Sequence, residues 1–430
     1  MATSIVDLAL DARQYIQSLP LGESEKSLRL NSLNQFEMTG LPTAKLEDWK
    51  YFSWRSMPSG NYQPLAEGMS QLSKISMAAG AFGLTSKDAV YYNPNDFYVW
   101  RFLNQETQQA QTGVTTVTVQ TQPYHPEAVA TNPLEGLFQA FSLKKTVLEV
   151  PPDTVVQKPV LIHELFVTAV PSQQHQQVDV VIGSNSKVQV IYFDQSQGAG
   201  LFRQIRTHFS IGENVSVDFV RVQNTGAEAT IIDNVDFSLG QGAQVRHLTV
   251  SLGGCLFRQN INADLRHSNA TLETNGIVVS SGKQLSDLCS KLRHHVGGSV
   301  TKQTVKSLLA DQSKFNFNGL IVIGEGAKQA SSEQLNKNLL LSKEAEVNSK
   351  PQLQIYSDDV KATHGSTTGQ LNRDEVFYFQ SRAIPANKAI QMLSVGHVSE
   401  LVYQIENQGI QEFVLDQIQK KLESVHVEGV

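Results

Sequence analysis

Cysteine is almost missing from this chain: Cys255 and Cys289 are the only two in 430 residues. Two thiols make no disulfide framework, and an all-cysteine metal cluster takes four. A reducing compartment is the simplest home, so a cytoplasmic location is expected. Charge is sparse as well. Charged side chains make up 18% of the sequence and the formal net charge is −6, so no basic field calls for nucleic acid. Solvation falls instead to Gln, Asn, Ser and Thr, which suits a sheet-rich protein with stacked polar ladders. No apolar run is long enough to span a bilayer. The first residues, Met1 to Leu19, interrupt their apolar spacing with Asp7, Asp11 and Arg13, unlike a secretory signal. Neither a membrane nor nucleic acid is therefore expected as a partner.

Catalytic signatures are missing too. Ser281-Gly282-Lys283-Gln284 has the lysine of a phosphate loop without its glycine cradle, so nucleotide hydrolysis is not expected. No Gly-x-Ser-x-Gly elbow or His-Glu-x-x-His helix occurs. Cys289 is followed by His294 and His295 at a spacing that fits no zinc motif, and the plain reading is a pair of solvated histidines at a coil edge. Asp358 and Asp359 fall on opposite faces of an extended chain, which argues against a paired acid and base. The expectation is a protein that is not an enzyme.

What is present reads in three parts: a helical and mixed region over 1–145, a β core over 146–385 and a helical region over 386–430. In the first, apolar residues recur at helical spacing (Leu8, Ala9, Ala12, then Leu28, Leu30, Leu33), broken by Pro20, Gly40 and Pro42. Strand-like runs follow at Val90-Tyr91-Tyr92 and Tyr98-Val99-Trp100. The core consists of short alternating strands between Gly, Asn and Ser. A repeat is visible in it, starting at Ile182, Ile211, Leu239 and Leu265, so 29, 28 and 26 residues apart. A turn followed by an alternating strand at that period is what a β-solenoid needs, each coil burying its face on the next. An antiparallel sandwich with regular turns is the alternative. In the last part, Ala389, Ile390, Leu393, Leu401, Val402 and Ile405 make one helical stripe, and Ile410, Phe413, Val414, Ile418 and Leu422 make another.

The segment Lys350-Pro351-Gln352-Leu353-Gln354-Ile355-Tyr356-Ser357-Asp358-Asp359-Val360-Lys361-Ala362-Thr363-His364-Gly365 holds the most chemistry. Read as one extended strand, it places Tyr356, Asp358, Val360, Ala362 and His364 on one face, just before a glycine able to turn the chain. A neutral imidazole there can bind a metal or sulfur cluster without adding charge, or can be an ordinary end-of-strand histidine.

This segment resembles the "PQLEIYADDVKCSHGATVG" signature of the SufB/SufD family of iron–sulfur cluster assembly proteins. Other matches follow in the family's order: Leu46-Glu47-Asp48-Trp49-Lys50-Tyr51 near the front, Phe317-Asn318-Gly319, Asn336-Lys337-Asn338-Leu339, and Val376-Phe377-Tyr378-Phe379-Gln380-Ser381-Arg382. The chain is most similar to the SufD branch. One departure is clear, because Ala362 stands where the signature has cysteine. A role resting on a Cys–His pair within this chain is thereby lost, and one resting on His364 alone survives.

The resemblance implies a mainly β fold, a right-handed parallel β-helix core flanked by helical regions. It implies a non-catalytic scaffold of the SUF system, forming a heterodimer with a SufB-like paralogue through the β-helix. A SufC-like ABC-type ATPase would attach at the C-terminal helices, where Ile410, Phe413, Val414, Ile418 and Leu422 are the candidate contacts. His364 would be a ligand for iron or a nascent cluster at the paralogue interface, with thiolates from the partner. His294, aligned with a histidine recurring in the family, is a secondary metal candidate. No cofactor is expected to stay on the isolated chain, only transient iron or an iron–sulfur cluster in the complex. Open strand edges also allow a homodimer in isolation. The alternatives are a SufB-type cluster scaffold, against which the scarcity of cysteine speaks, and a β-helix polysaccharide lyase or hydrolase, for which no repeated acidic and basic groove is found.

Overall fold

One turn recurs along the core. Asn185, Asn214 and Asn269 adopt left-handed backbone angles (φ 60, 53 and 58°), as do Gly242 and Gly298 (φ 67 and 71°). Asparagine and glycine tolerate that region where bulkier residues are strained. The turns also stack closely: a Cβ on Gly242 would sit 2.6 Å from Asn214 Oδ1. Each turn follows a strand (Ser172–Ile182, Leu201–Ile211, Thr230–Leu239, Leu256–Leu265, Leu285–His294) and feeds another (Lys187–Gly198, Ser216–Asn224, Gln244–Ser251, Thr271–Ser280, Val300–Leu309). The sequence repeat thus marks successive coils, with Ile182 in register with Ile211 and Ile211 with Leu239.

The computed structural model describes residues 6–9, 11–65, 97–104, 106–109 and 116–425; the strand expected at Val90-Tyr91-Tyr92 lies outside them. Alternate strands join one of two sheets of ten strands each, and the stack is a parallel β-solenoid of about 8 turns. Parallel register between successive coils rules out the antiparallel sandwich. Antiparallel pairing among the described residues occurs only at the first end. There Glu106–Gln109 runs against Tyr98–Leu103, and Thr118–Pro123 against Lys144–Val150.

Between the sheets, half of the lumen is apolar. Val190, Ile205, Val235, Ile261, Leu292 and Ile321 stack along it, and the rings of Phe209 and Phe237 lie parallel at 4.6 Å. The other half is polar. In the early coils Arg203 pairs with Glu164 and Asp194 across the lumen, and Arg221 lies 2.5 Å from Asp194 and 3.0 Å from Asp233. All five are at most 1% exposed. Burial pushes the Glu164 and Asp233 carboxyls above their usual range, as expected where three acids face two guanidiniums away from water.

Helices cover the outer faces. Helices α1 (Ala12–Ser18), α2 (Glu23–Thr39) and α3 (Pro133–Phe141) pack on one sheet through Ile16, Leu33 and Leu137 against Phe202 and Ile232. Asn132 caps α3 by accepting from the Glu135 N–H. Buried Arg29 secures its other end, donating to the Gln139 and Ser142 carbonyls at 2.8 and 2.7 Å. At the C-terminus, α4 (Arg373–Gln380) is followed by α5 (Ala386–Val402) and α6 (Gln408–Glu423), and α5 and α6 lie on the other sheet.

Two boundaries differ from expectation. The C-terminal helices begin at Arg373 and not at 386, because Asn372 caps a helix there and Asp374 and Glu375 fill its first turn. The sheet begins before 146, since Tyr98–Leu103 lies parallel to Val160–Thr168.

Candidate site at the open end of the solenoid

The expected single strand through His364 is two strands. Glu346–Ile355 ends one sheet, a bend at Asp358 and Asp359 follows, and Lys361–Gln370 ends the other. The turn expected at Gly365 is also absent, because that glycine lies inside the last strand. A Cβ there would come 3.2 Å from Leu335 Cδ2.

Both final strands are paired on one side only, with Lys314–Ile323 and Ser331–Leu340. The Lys361 N–H donates back to the Ala330 carbonyl. By the alternation of a parallel ladder, the N–H groups of Ala362, His364, Ser366 and Thr368 face away from the solenoid. In the other strand the Glu346 N–H donates back to Ser313, so Pro351 falls at an outward position. A proline lacks only a donor that the ladder does not use there.

Side chains of the last coil follow the same alternation. Ala362 packs against the lumen core, and Ser366 Oγ donates to Ser349 Oγ across the sheets at 2.8 Å. His364 shares that lumen-facing side. In the preceding coil the matching position is Gln334, which is 0% exposed; His364 itself is exposed, since no coil lies on top of it. The end of the solenoid is a mouth with a free imidazole in it, and no thiol beside that imidazole.

His294 has a different environment. It is 1% exposed, and its Nδ1 and Nε2 sit 2.8 and 2.9 Å from the hydroxyls of Ser299 and Thr301. Burial pushes its pKa down to about 4, so it is neutral and both ring nitrogens are engaged. It is neither the solvated coil-edge histidine nor an available ligand, because the lumen closes over the end of its strand. Cys289, on the outer face, is buried against Asp287 and its thiol is pushed up by burial; it is no thiolate donor. Among the described residues, no three His, Cys, Asp or Glu side chains cluster so as to hold a metal.

The five candidate partner contacts also face inward. Ile410, Phe413, Val414, Ile418 and Leu422 pack on Ile191, Phe193, Val220 and Leu248 of the sheet, with Phe413 edge-on to Phe193 at 5.2 Å. The apolar stripe of α6 is spent on its own core, and the contact assignment is corrected accordingly. Exposed apolar side chains in this region are Phe377, Tyr378, Met392 and Tyr403. A linear reading could not distinguish the two sets, because both are apolar.

A family model described as "SUF system FeS cluster assembly, SufBD core domain" matches residues 166–397, a little over half of the chain. The chain belongs to this family. The matched span holds most of the solenoid, the mouth, α4 and the first part of α5. Over 399 residues the chain is 26% identical to the iron-sulfur cluster assembly protein SufD of Escherichia coli, covering 91% of each chain. It is 30% identical over 271 residues to the SufBD family protein slr0076 of Synechocystis, covering 60% of this chain and 59% of that one. It is 35% identical over 164 residues to the chloroplastic protein ABCI7 of Arabidopsis thaliana, covering 38% of this chain and 34% of that one. Within the SufB/SufD family the chain is SufD-like. Among the described residues, no helix is long and apolar enough to cross a membrane.

Proposed function

We propose that this chain is a non-catalytic, cytoplasmic scaffold subunit for iron–sulfur cluster assembly that meets a SufB-like paralogue at the open end of its solenoid. The observation that carries this reading is the mouth: two strands with unused backbone donors, and an exposed histidine in line with a buried lumen position. A partner solenoid presenting its own open edge would satisfy those donors. A second copy of this chain would do the same, so a homodimer in isolation has the same cause.

Iron or the nascent cluster is the cargo. From this side of the interface His364 offers one nitrogen, Ala362 offers nothing, and the thiolates come from the paralogue. The ATPase, a SufC-like ABC protein, docks on the exposed side of the C-terminal helices through Phe377 and Tyr378, since the inner stripe of α6 is already covered. Homologues named as cluster assembly proteins, together with the missing phosphate loop, favour a scaffold over an enzyme.

The test is His364→Ala. The expected result is unchanged circular dichroism, thermal stability and complex assembly, with cluster formation in the complex reduced at least tenfold, because an exposed imidazole contributes little buried area. Wild-type cluster formation in that variant would end the ligand reading.

A further inference from the structure

His364 has a specific neighbour below it. Gln334 is its ladder partner in the preceding coil, and adjacent strands stand about 4.8 Å apart. Side chains on the same face of two such strands are within hydrogen-bond reach. Gln334 is 0% exposed, and its amide is only half used. Nε2 donates to Gln303 Oε1 at 3.0 Å, while Oε1 is buried with no partner. Gln303 Oε1 in turn accepts from Ser290 Oγ at 2.8 Å.

The opposite sheet is shaped around this amide. A Cβ on Gly319 would stand 2.2 Å from Gln334 Nε2 and 2.7 Å from its Cδ. Gly319 has no left-handed backbone to explain it, so the missing side chain is a matter of space. A buried carbonyl without a donor is unfavourable, and this one belongs to the residue one coil inward of His364, with its amide fixed by Gln303 and fitted against Gly319.

We propose that Gln334 is a positioning residue for His364: its Oε1 accepts the N–H of one ring nitrogen, which fixes the tautomer and leaves the lone pair of the other nitrogen to the open end. The role rests on His364 being a ligand, and the hydrogen bond can be tested separately from it. Ligating histidines commonly use their second nitrogen in this way, and loss of such a partner costs 10- to 100-fold in affinity or activity. An amide suits the position because it accepts without placing a charge in the lumen, and its Nε2 is tied to Gln303.

The hydrogen bond is read by nitrogen NMR of the full chain carrying labelled histidine, with the His364 signal assigned by its loss in His364→Ala. One dominant tautomer is expected in the wild type, and the mixture of a free imidazole in Gln334→Met. Gln303→Met, which removes the support and keeps the acceptor, should retain most of the wild-type preference. In the complex with the paralogue and ATPase, Gln334→Met should assemble normally and form clusters about tenfold more slowly. A tautomer ratio unaffected by Gln334→Met overturns the proposal. If His364→Ala forms clusters at the wild-type rate, the ligand reading fails and the positioning role with it, even where the tautomer shift is seen. Should Gln334→Met not fold, Gln334→Asn withdraws the amide by one methylene and reads the same ratio.

Discussion

The two ends of the solenoid are made of the same kind of strand and finished in opposite ways. At the first end the parallel order is broken by two antiparallel strands, and ionisable groups in the adjoining coils, such as Arg203 and Asp233, are sealed in the lumen. At the other end the parallel order simply stops, leaving unused donors and an exposed His364. Burying a charge is tolerable only when every partner is present, whereas an exposed group tolerates change. Stability is therefore concentrated in the closed coils, and the recognition proposed above falls to the open one.

The largest test of this contrast is pH. Burial lowers the pKa of His163 and His294 to about 4 and of His175 and His247 to about 3. Unfolded histidines take up protons near 6.5, so between pH 6.5 and about 4 the unfolded state binds more protons than the folded one. The histidine contribution to stability should be full above pH 6.5 and fall as pH drops through that window, by up to about 5 kcal/mol per unit if all four act together, offset in part by Glu164 and Asp233, whose raised carboxyls take up protons earlier in the folded state. Urea titrations at pH 7, 6 and 5 would show it. Replacing His247, whose ring lies in the lumen among Phe209, Phe219 and Phe237, with Gln should remove about a quarter of the slope, and a slope unchanged by it would contradict the sealed lumen.

Arg203→Ala comes next. It strands Glu164 and leaves Asp194 with Arg221 as its one cationic partner, and removing one partner of a buried ion pair costs about 3–5 kcal/mol. Chemical denaturation should find a loss of that size; a loss under about 1 kcal/mol would mean that water reaches the cluster.

The smallest effect on stability belongs to Thr368→Pro at the open edge. The change removes an outward N–H that the ladder does not use, so the monomer's melting temperature should move little. Association with the paralogue, or with a second copy, should weaken at least tenfold in sedimentation velocity. Undiminished association would place the interface elsewhere.

Much of this contrast is legible in the sequence. The coil period shows because the left-handed turns favour Asn and Gly, with Asp153, Asp311 and Gln329 filling others, and the C-terminal helices show in their stripes. Period alone misplaced the bend at Asp358, across which the lumen-facing set shifts from odd positions (Val347, Leu353) to even ones (Val360, Ala362), and missed the start of α4, where a cap outweighs the aromatic run Phe377-Tyr378-Phe379. Of the site, His364 and the absent thiol at Ala362 could be read directly. Gln334 could not, because its importance lies in register across strands about 30 residues apart and in space left by Gly319 on the opposite sheet. The same limit applies to α6, where apolar spacing identifies a buried face without saying what buries it.

The one-sided stack also has a consequence for synthesis. Coils follow one another in chain order, each contacting mainly its neighbours, so a chain emerging from the ribosome can add them from the antiparallel end onward. At every stage its growing edge is an open pair of parallel strands, the same kind of surface that the finished protein keeps at its last coil. Backbone donors alone therefore cannot tell a mature subunit from an unfinished one. That distinction must be carried by side chains made last, among them Lys350, Pro351, Ala362 and His364, which a nascent chain does not possess until its solenoid is complete.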